Sequence, residues 1–296
     1  MLSQDYTDAL REEYQTIDNW LVRARIHEQY THPKKSFVDW VLKLYPWKGN
    51  ERVLDVGCGP GRYYKHIAKK MPDVTYIGLD YSPAMMAKHR ATGHLTRGNI
   101  EQLPFEDNTF DVVMANHMLY LAPDVEGAVL ELRRVLKPDG VLFAATTSIT
   151  STPQFRELFR RAILLVSPPG RSREVTIPET MHRRFSLENG SRILSRHFYA
   201  VVRHDLPSSF IFNDVEPIME YLEATRAVRE PQLPEGVTWD KVMVIMREQI
   251  TNLIMSLNVL VVDKLTGVLM ATNNGGFIVP FNEIRAKVDG PAETDS

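Results

Sequence analysis

Between Arg52 and Ala145 the chain alternates short β-rich apolar runs with amphipathic stretches. The run Arg52–Val56 reads as a buried strand that ends in glycines, and Arg62–Met71 as a helix. Val74–Asp80 is a second strand, and Ser82-Pro83 starts a helix, with serine at the cap and proline in the first turn. A third strand is expected near His94–Gly98 and a fourth over Phe110–Asn116. Val125–Leu136 is a helix that leaves through a turn at Lys137–Gly140 into a fifth strand, Gly140–Thr146. Strands alternating with helices imply βαβ units, right-handed crossovers and a parallel sheet. The fold class is therefore α/β: a doubly wound, mostly parallel, Rossmann-like sheet, with its ligand at the carboxyl ends of the strands.

The flanks read differently. Residues 1–48 fit two or three short helices and are assigned as an N-terminal helical cap. Residues 49–150 form the core. Residues 151–296 carry the rest of a seven-stranded sheet and a helical, acceptor-binding insertion. There Phe198–Leu206 and Gly276–Pro280 read as strands six and seven, and Val215–Val228 and Lys241–Leu265 as helices. The cap and the insertion are expected to close over the carboxyl ends of the strands.

Charge narrows the partners. With 35 Lys+Arg against 37 Asp+Glu the net charge is −2, so nothing global favours nucleic acid or an anionic membrane. Locally, 156–203 holds ten arginines and no lysine against four acids, while 204–248 holds nine acids against four bases. These are either two faces that pair or an arginine-lined approach for an acidic acceptor. The single cysteine, Cys58, excludes an intramolecular disulfide and a cysteine-built zinc site; no clustered metal-ligand set is present in the sequence, and none is expected. The charged start and the short, Asn- and Ser-interrupted apolar run Ile250–Val262 lead to the expectation of a cytoplasmic chain without a membrane span.

The strongest chemical signal is Asp55-Val56-Gly57-Cys58-Gly59-Pro60-Gly61, where a strand runs directly into glycines that open a helix. Glycines there let a ligand touch backbone. A dinucleotide fingerprint, G-x-G-x-x-G, would require its third glycine at Arg62; instead it falls at Gly61, and Pro60 removes an amide donor, which disfavours a nicotinamide cofactor. Asp80 ends the next strand, 23 residues after Gly57.

Taken together, this glycine loop and this acid resemble the class I S-adenosylmethionine-dependent methyltransferases. The resemblance extends through Gly98-Asn99-Ile100-Glu101, Leu103-Pro104-Phe105 and Leu132–Gly140, about 51–147 in all. Weaker likenesses at Arg25–Tyr30, Phe185–Gly190 and Asp214–Pro217 are similar to a bacterial subgroup that includes natural-product enzymes. The resemblance implies S-adenosylmethionine as cofactor, S-adenosylhomocysteine as product, and in-line transfer of a methyl group to a small-molecule acceptor. Asn116-His117-Met118-Leu119 lacks the Pro-Pro-aromatic signature of base-modifying members. Alternatives are a nucleic-acid or protein methyltransferase docking through 156–203, and a regulatory protein that keeps the pocket without turnover.

Each candidate residue has a plainer role beside its functional one. Gly57, Cys58, Gly59 and Gly61 are assigned to the cofactor rather than to a bare turn, and Asp80 to the ribose hydroxyls. Asp55 either orients the glycine loop or touches ligand. Tyr81 and Met85 flank the adenine or pack a helix, and Asn99 and Ile100 correspond to the adenine-edge segment. Asn116 and His117 follow the fourth strand. His117 is the candidate general base or, equally, a hydrogen-bonded structural histidine. Tyr30 either caps the sulfonium or packs between elements.

Overall fold

A computed structural model describes residues 14, 16–91, 94–168, 177–178 and 181–274. In chain order it contains α1 (Asp18–Tyr30), β1 (Thr31–His32), α2 (Phe37–Leu42), β2 (Arg52–Val56), α3 (Arg62–Lys70), β3 (Thr75–Asp80), α4 (Pro83–Met86), β4 (Leu95–Arg97) and β5 (Phe110–Met114). There follow α5 (Val125–Val135), β6 (Leu136–Thr147), α6 (Pro153–Val166), α7 (Gly190–Leu194), β7 (Ala200–Phe212), α8 (Glu216–Glu223), α9 (Arg226–Arg229), α10 (Trp239–Leu257) and β8 (Leu260–Thr272). The strands form one eight-stranded sheet in the order β1-β7-β8-β6-β5-β2-β3-β4. The chain divides into two compact units: Met1–Lys34, Thr147–Arg184 and Asp205–Thr266 make the first, and Lys35–Thr146, Phe185–His204 and Gly267–Ser296 the second.

The second unit holds the parallel strands. β2 pairs in parallel with β3 and β5, β3 with β4, and β5 with β6. Val53, Leu54 and Val56 are fully buried, as a strand covered on both faces requires. α3 turns Tyr63 and Ile67 into the core with Val53, Val112, Met114 and Phe143, and ends in Lys69 and Lys70, which suit the negative end of its dipole. β3 and β4 lie on one side of β2, and β5 and β6 on the other. Strand order therefore reverses at β2, and the crevice at its carboxyl end is the place where this fold class binds ligands.

The first unit has a core of its own: Phe155, Phe159, Phe210, Phe212, Trp239, Met246 and Ile250. α10 packs against α6, and α1 against α8. Trp239 is fully buried and donates its indole N–H to Glu223, 2.8 Å away, so the polar end of a large apolar side chain is satisfied.

The sheet is the expected doubly wound, mostly parallel one, with eight strands rather than seven. The first difference is β1, two residues paired antiparallel with β7 at Thr31–Phe210 and His32–Ser209, too short for a periodicity signal. The second lies at the expected helix Lys241–Leu265, which stops at Leu257 because Asn258 turns left-handed at φ 62°; the chain then enters β8. Lys137–Gly140 lies inside β6 as an irregularity: five residues advance on β6, from Leu136 to Val141, against two on β5. Val215–Val228 is broken into α8 and α9 at Ala224-Thr225. The expected strand Gly276–Pro280 lies outside the described residues.

The arginine-rich and acidic stretches find partners over short range or in other segments. Arg160 and Arg161 pair with Glu157, Arg196 with Glu126, Arg25 with Glu220 and Arg247 with Glu216.

Candidate active site

The loop leaving β2 is shaped by its glycines. Gly57, Gly59 and Gly61 have φ of 68°, 52° and 80°, the left-handed region that other residues enter only with strain. The amides of Gly57 and Cys58 both donate to the Leu79 carbonyl, at 2.7 and 3.1 Å, which ties the loop to β3. A Cβ at Gly57 would lie 2.7 Å from Met118 Cβ, and one at Gly61 2.7 Å from the His89 ring. Gly61→Ala therefore combines backbone strain with a collision against a buried ring. It should destabilise the fold by about 1–3 kcal/mol, read as a lower urea midpoint at unchanged m-value.

Asp80 closes this loop from the neighbouring strand. Its Oδ2 accepts the Gly59 amide at 2.8 Å and its Oδ1 the Ser82 amide at 2.8 Å. Burial raises its pKa, opposed by the amides of Ser82, Gly59 and Tyr81. Each carboxylate oxygen retains a second lone pair, so both still accept a hydroxyl proton. Tyr81 is exposed with its ring 5.8 Å from the Arg97 guanidinium, whereas Met85 is buried beneath the turn that the Ser82 hydroxyl caps. Asn99 accepts the Glu101 amide just past β4, and Ile100 beside it is buried.

Beneath the loop lies a chain of hydrogen bonds that the sequence did not reveal. The Ala91 amide donates to His89 Nδ1 at 3.0 Å, which leaves the proton on Nε2, 3.3 Å from the Tyr76 hydroxyl. Tyr76 donates in turn to Asp55 Oδ2 at 2.8 Å. Asp55 is almost wholly buried, and burial pushes its pKa up to about 7 against the opposing Tyr76 hydrogen bond. Burial also lowers the pKa of His89, consistent with a neutral ring. Cys58 is buried and its thiol is pushed up by the same desolvation, which keeps the sulfur protonated and unreactive.

This arrangement carries a pH dependence of unusual sign for a carboxylate. The folded protein holds a proton on Asp55 more tightly than the unfolded chain, whose value is about 3.9. The contribution is complete below about pH 4 and is lost as pH rises toward 7, by up to about 4 kcal/mol. Urea unfolding at pH 4.5 and 7.5 should show this slope in the wild type, and Asp55→Asn should remove it.

Past β5 the chain continues along β6. Ala115 N–H donates to the Phe143 carbonyl and His117 N–H to that of Ala145, at 2.7 and 2.8 Å. Asn116 Oδ1 accepts the Ala145 amide at 3.0 Å, while its Nδ2 is buried without a partner among the described residues. A buried unpaired amide costs roughly 1–3 kcal/mol. His117 then adopts a left-handed φ of 56°, with its ring 5.2 Å from that of Phe37, and the next residue, Met118, lies against Gly57. The turn after β5 and the glycine loop after β2 are thus in direct contact. Tyr30 belongs to the first unit, where its ring stacks on Phe212 at 4.8 Å.

Residues 54–144 match the family model for a methyltransferase domain. This segment is a class I S-adenosylmethionine-dependent methyltransferase domain. The chain is 33% identical over 142 residues to a malonyl-[acyl-carrier protein] O-methyltransferase of Enterobacter lignolyticus, covering 47% of this chain and 56% of that protein. It is 34% identical over 137 residues to a demethylmenaquinone methyltransferase of Staphylococcus haemolyticus, covering 43% of this chain and 56% of the relative. It thus spans about half the length of the curated relatives it matches. The fold resembles the YcgJ protein of Bacillus subtilis, with a TM-score of 0.51 at 19% identity over 80% of this chain and 98% of that one. It also resembles a protein of an antibiotic biosynthesis pathway of Anabaena variabilis, at 0.53 and 15% identity over 79% and 96%.

The methyltransferase domain's methyl donor, S-adenosylmethionine, fits the residues present. Left-handed glycines expose backbone, an acid ends the adjacent strand, and the one unpaired amide of Asn116 is at the carboxyl end of β5. Among the described residues no group of His, Cys, Asp or Glu could hold a metal ion, and no helix is long and apolar enough to cross a membrane.

Proposed function

We propose that this protein transfers the methyl group of S-adenosylmethionine to a small-molecule acceptor and releases S-adenosylhomocysteine. The observation that carries the reading is the closure of the glycine loop by Asp80 at the point where strand order reverses. When bound, the cofactor supplies an electrophilic sulfonium methyl, so the protein's task is to align the acceptor and exclude water. Asp80 would hold the ribose hydroxyls, the glycine-loop backbone would admit the rest of the cofactor, and Asn116 would give its unpaired amide to the ligand. His117 takes the acceptor's proton at a ring nitrogen, or orients the acceptor through it.

The relatives compared above are named for malonyl-[acyl-carrier protein] and for demethylmenaquinone, which supports a small acceptor group without favouring one chemical class. Selectivity is assigned to residues outside 54–144, because the matched domain is a general cofactor platform. Incubation with S-adenosylmethionine and a panel of small acids and phenols should release S-adenosylhomocysteine only with the true acceptor. Cofactor binding without release across a broad panel would move the reading to a regulatory protein.

A further inference from the structure

The glycine loop has an entry at Asp55 and an exit at Gly61, and one buried side chain reaches both. His89 follows α4, where its amide donates to the Met86 carbonyl at 2.9 Å. At the loop exit, a Cβ on Gly61 would lie 2.7, 2.8 and 2.9 Å from Nε2, Cε1 and Cδ2 of the His89 ring. Gly61 is the residue that opens α3, at φ 80°, so the imidazole fills the space beside the point where loop becomes helix. Tyr64, in the first turn of α3, packs on the same ring with centroids 5.4 Å apart, and on the Tyr76 ring at 5.0 Å.

At the loop entry the contact is relayed. The Ala91 amide occupies Nδ1, so Nε2 carries the proton and donates to the Tyr76 oxygen, 3.3 Å away. Tyr76 has one proton and gives it to Asp55 Oδ2 at 2.8 Å. The direction of every hydrogen bond in the chain is therefore set from the Ala91 end. Asp55 itself lies between β3 and β5, opposite Gly78 and Met114. A ring that only filled volume would need neither nitrogen, and phenylalanine would serve without burying polar atoms.

We propose that His89 is a positioning residue for the cofactor: it braces Gly61 directly and Asp55 through Tyr76, and so fixes the span of the glycine loop. This rests on the reading that S-adenosylmethionine binds at that loop. Glycines leave a loop many conformations, and apparent affinity falls with the fraction of molecules that hold the competent one.

Calorimetry of the full chain with S-adenosylhomocysteine tests this on four variants. Tyr76→Phe removes one oxygen and keeps the packed ring, His89→Phe keeps a ring without either nitrogen, and His89→Gln restores an N–H donor toward Tyr76. The fourth variant combines the two phenylalanines. Tyr76→Phe and His89→Phe should each weaken binding by about five- to tenfold, and His89→Gln should recover to within about threefold of the wild type. The double variant should bind no more weakly than His89→Phe, because one chain is broken only once. Urea midpoints identify the variants that are folded; should His89→Phe not fold, Tyr76→Phe and His89→Gln decide. Wild-type affinity in Tyr76→Phe, no recovery in His89→Gln, or losses that add in the double variant would overturn the proposal alone. A wild type that binds no S-adenosylhomocysteine would overturn the cofactor reading and this proposal with it.

Discussion

His117→Ala is expected to lower kcat by about 10²–10⁴-fold with cofactor affinity nearly unchanged. The structure adds two reasons to the position of this residue after β5. Its left-handed φ of 56° is sparsely populated by non-glycine residues, and such conformations persist where the surroundings over-determine them. Its neighbour Met118 also lies against Gly57, so the turn that carries the imidazole is pinned to the glycine loop. An imidazole is the side chain suited to take and release a proton near neutral pH, which is what a general base requires. If His117 orients the acceptor instead, KM rises and His117→Asn recovers much of the activity. Wild-type kinetics in His117→Ala with the true acceptor would reduce it to a structural residue.

The second large effect concerns Asp80. If Asp80 accepts the ribose hydroxyls as proposed, removing its carboxylate costs about 1.5–3 kcal/mol, or roughly 10- to 150-fold in affinity. Asp80 also holds the Gly59 and Ser82 amides, so alanine would loosen the loop as well as the ligand. Asp80→Asn is milder than alanine: its single carbonyl oxygen keeps one of the two amides, while its NH2 faces the other and the charge is lost. Its S-adenosylhomocysteine affinity should fall by about tenfold, less than for alanine, and its urea midpoint should fall less than that of alanine. Equal affinity in wild type, Asn and Ala variants would place the cofactor elsewhere.

The cofactor half of the fold was legible because its signals are local. A buried apolar run, glycines that need positive φ, and a Ser-Pro helix start each reflect the chemistry of a few consecutive residues, and β2, β3 and α4 follow them closely. The later elements depend on contacts distant in sequence. The apolar stretch Ile250–Val262 fits a helix as well as a strand, and only the left-handed turn at Asn258 divides α10 from β8. β1 exists through its pairing with β7, which no two-residue pattern announces. The same reason hid the His89–Tyr76–Asp55 chain: Asp55 and Tyr76 lie on paired strands, but nothing near His89 in sequence marks it as a partner.

The central claim is that the glycine loop and Asp80 together bind S-adenosylmethionine. Isothermal titration calorimetry of the full chain with S-adenosylmethionine and S-adenosylhomocysteine measures this most directly. Saturable binding of both, weakened by Asp80→Asn, is the predicted result; no heat of binding for either at millimolar concentration would contradict it.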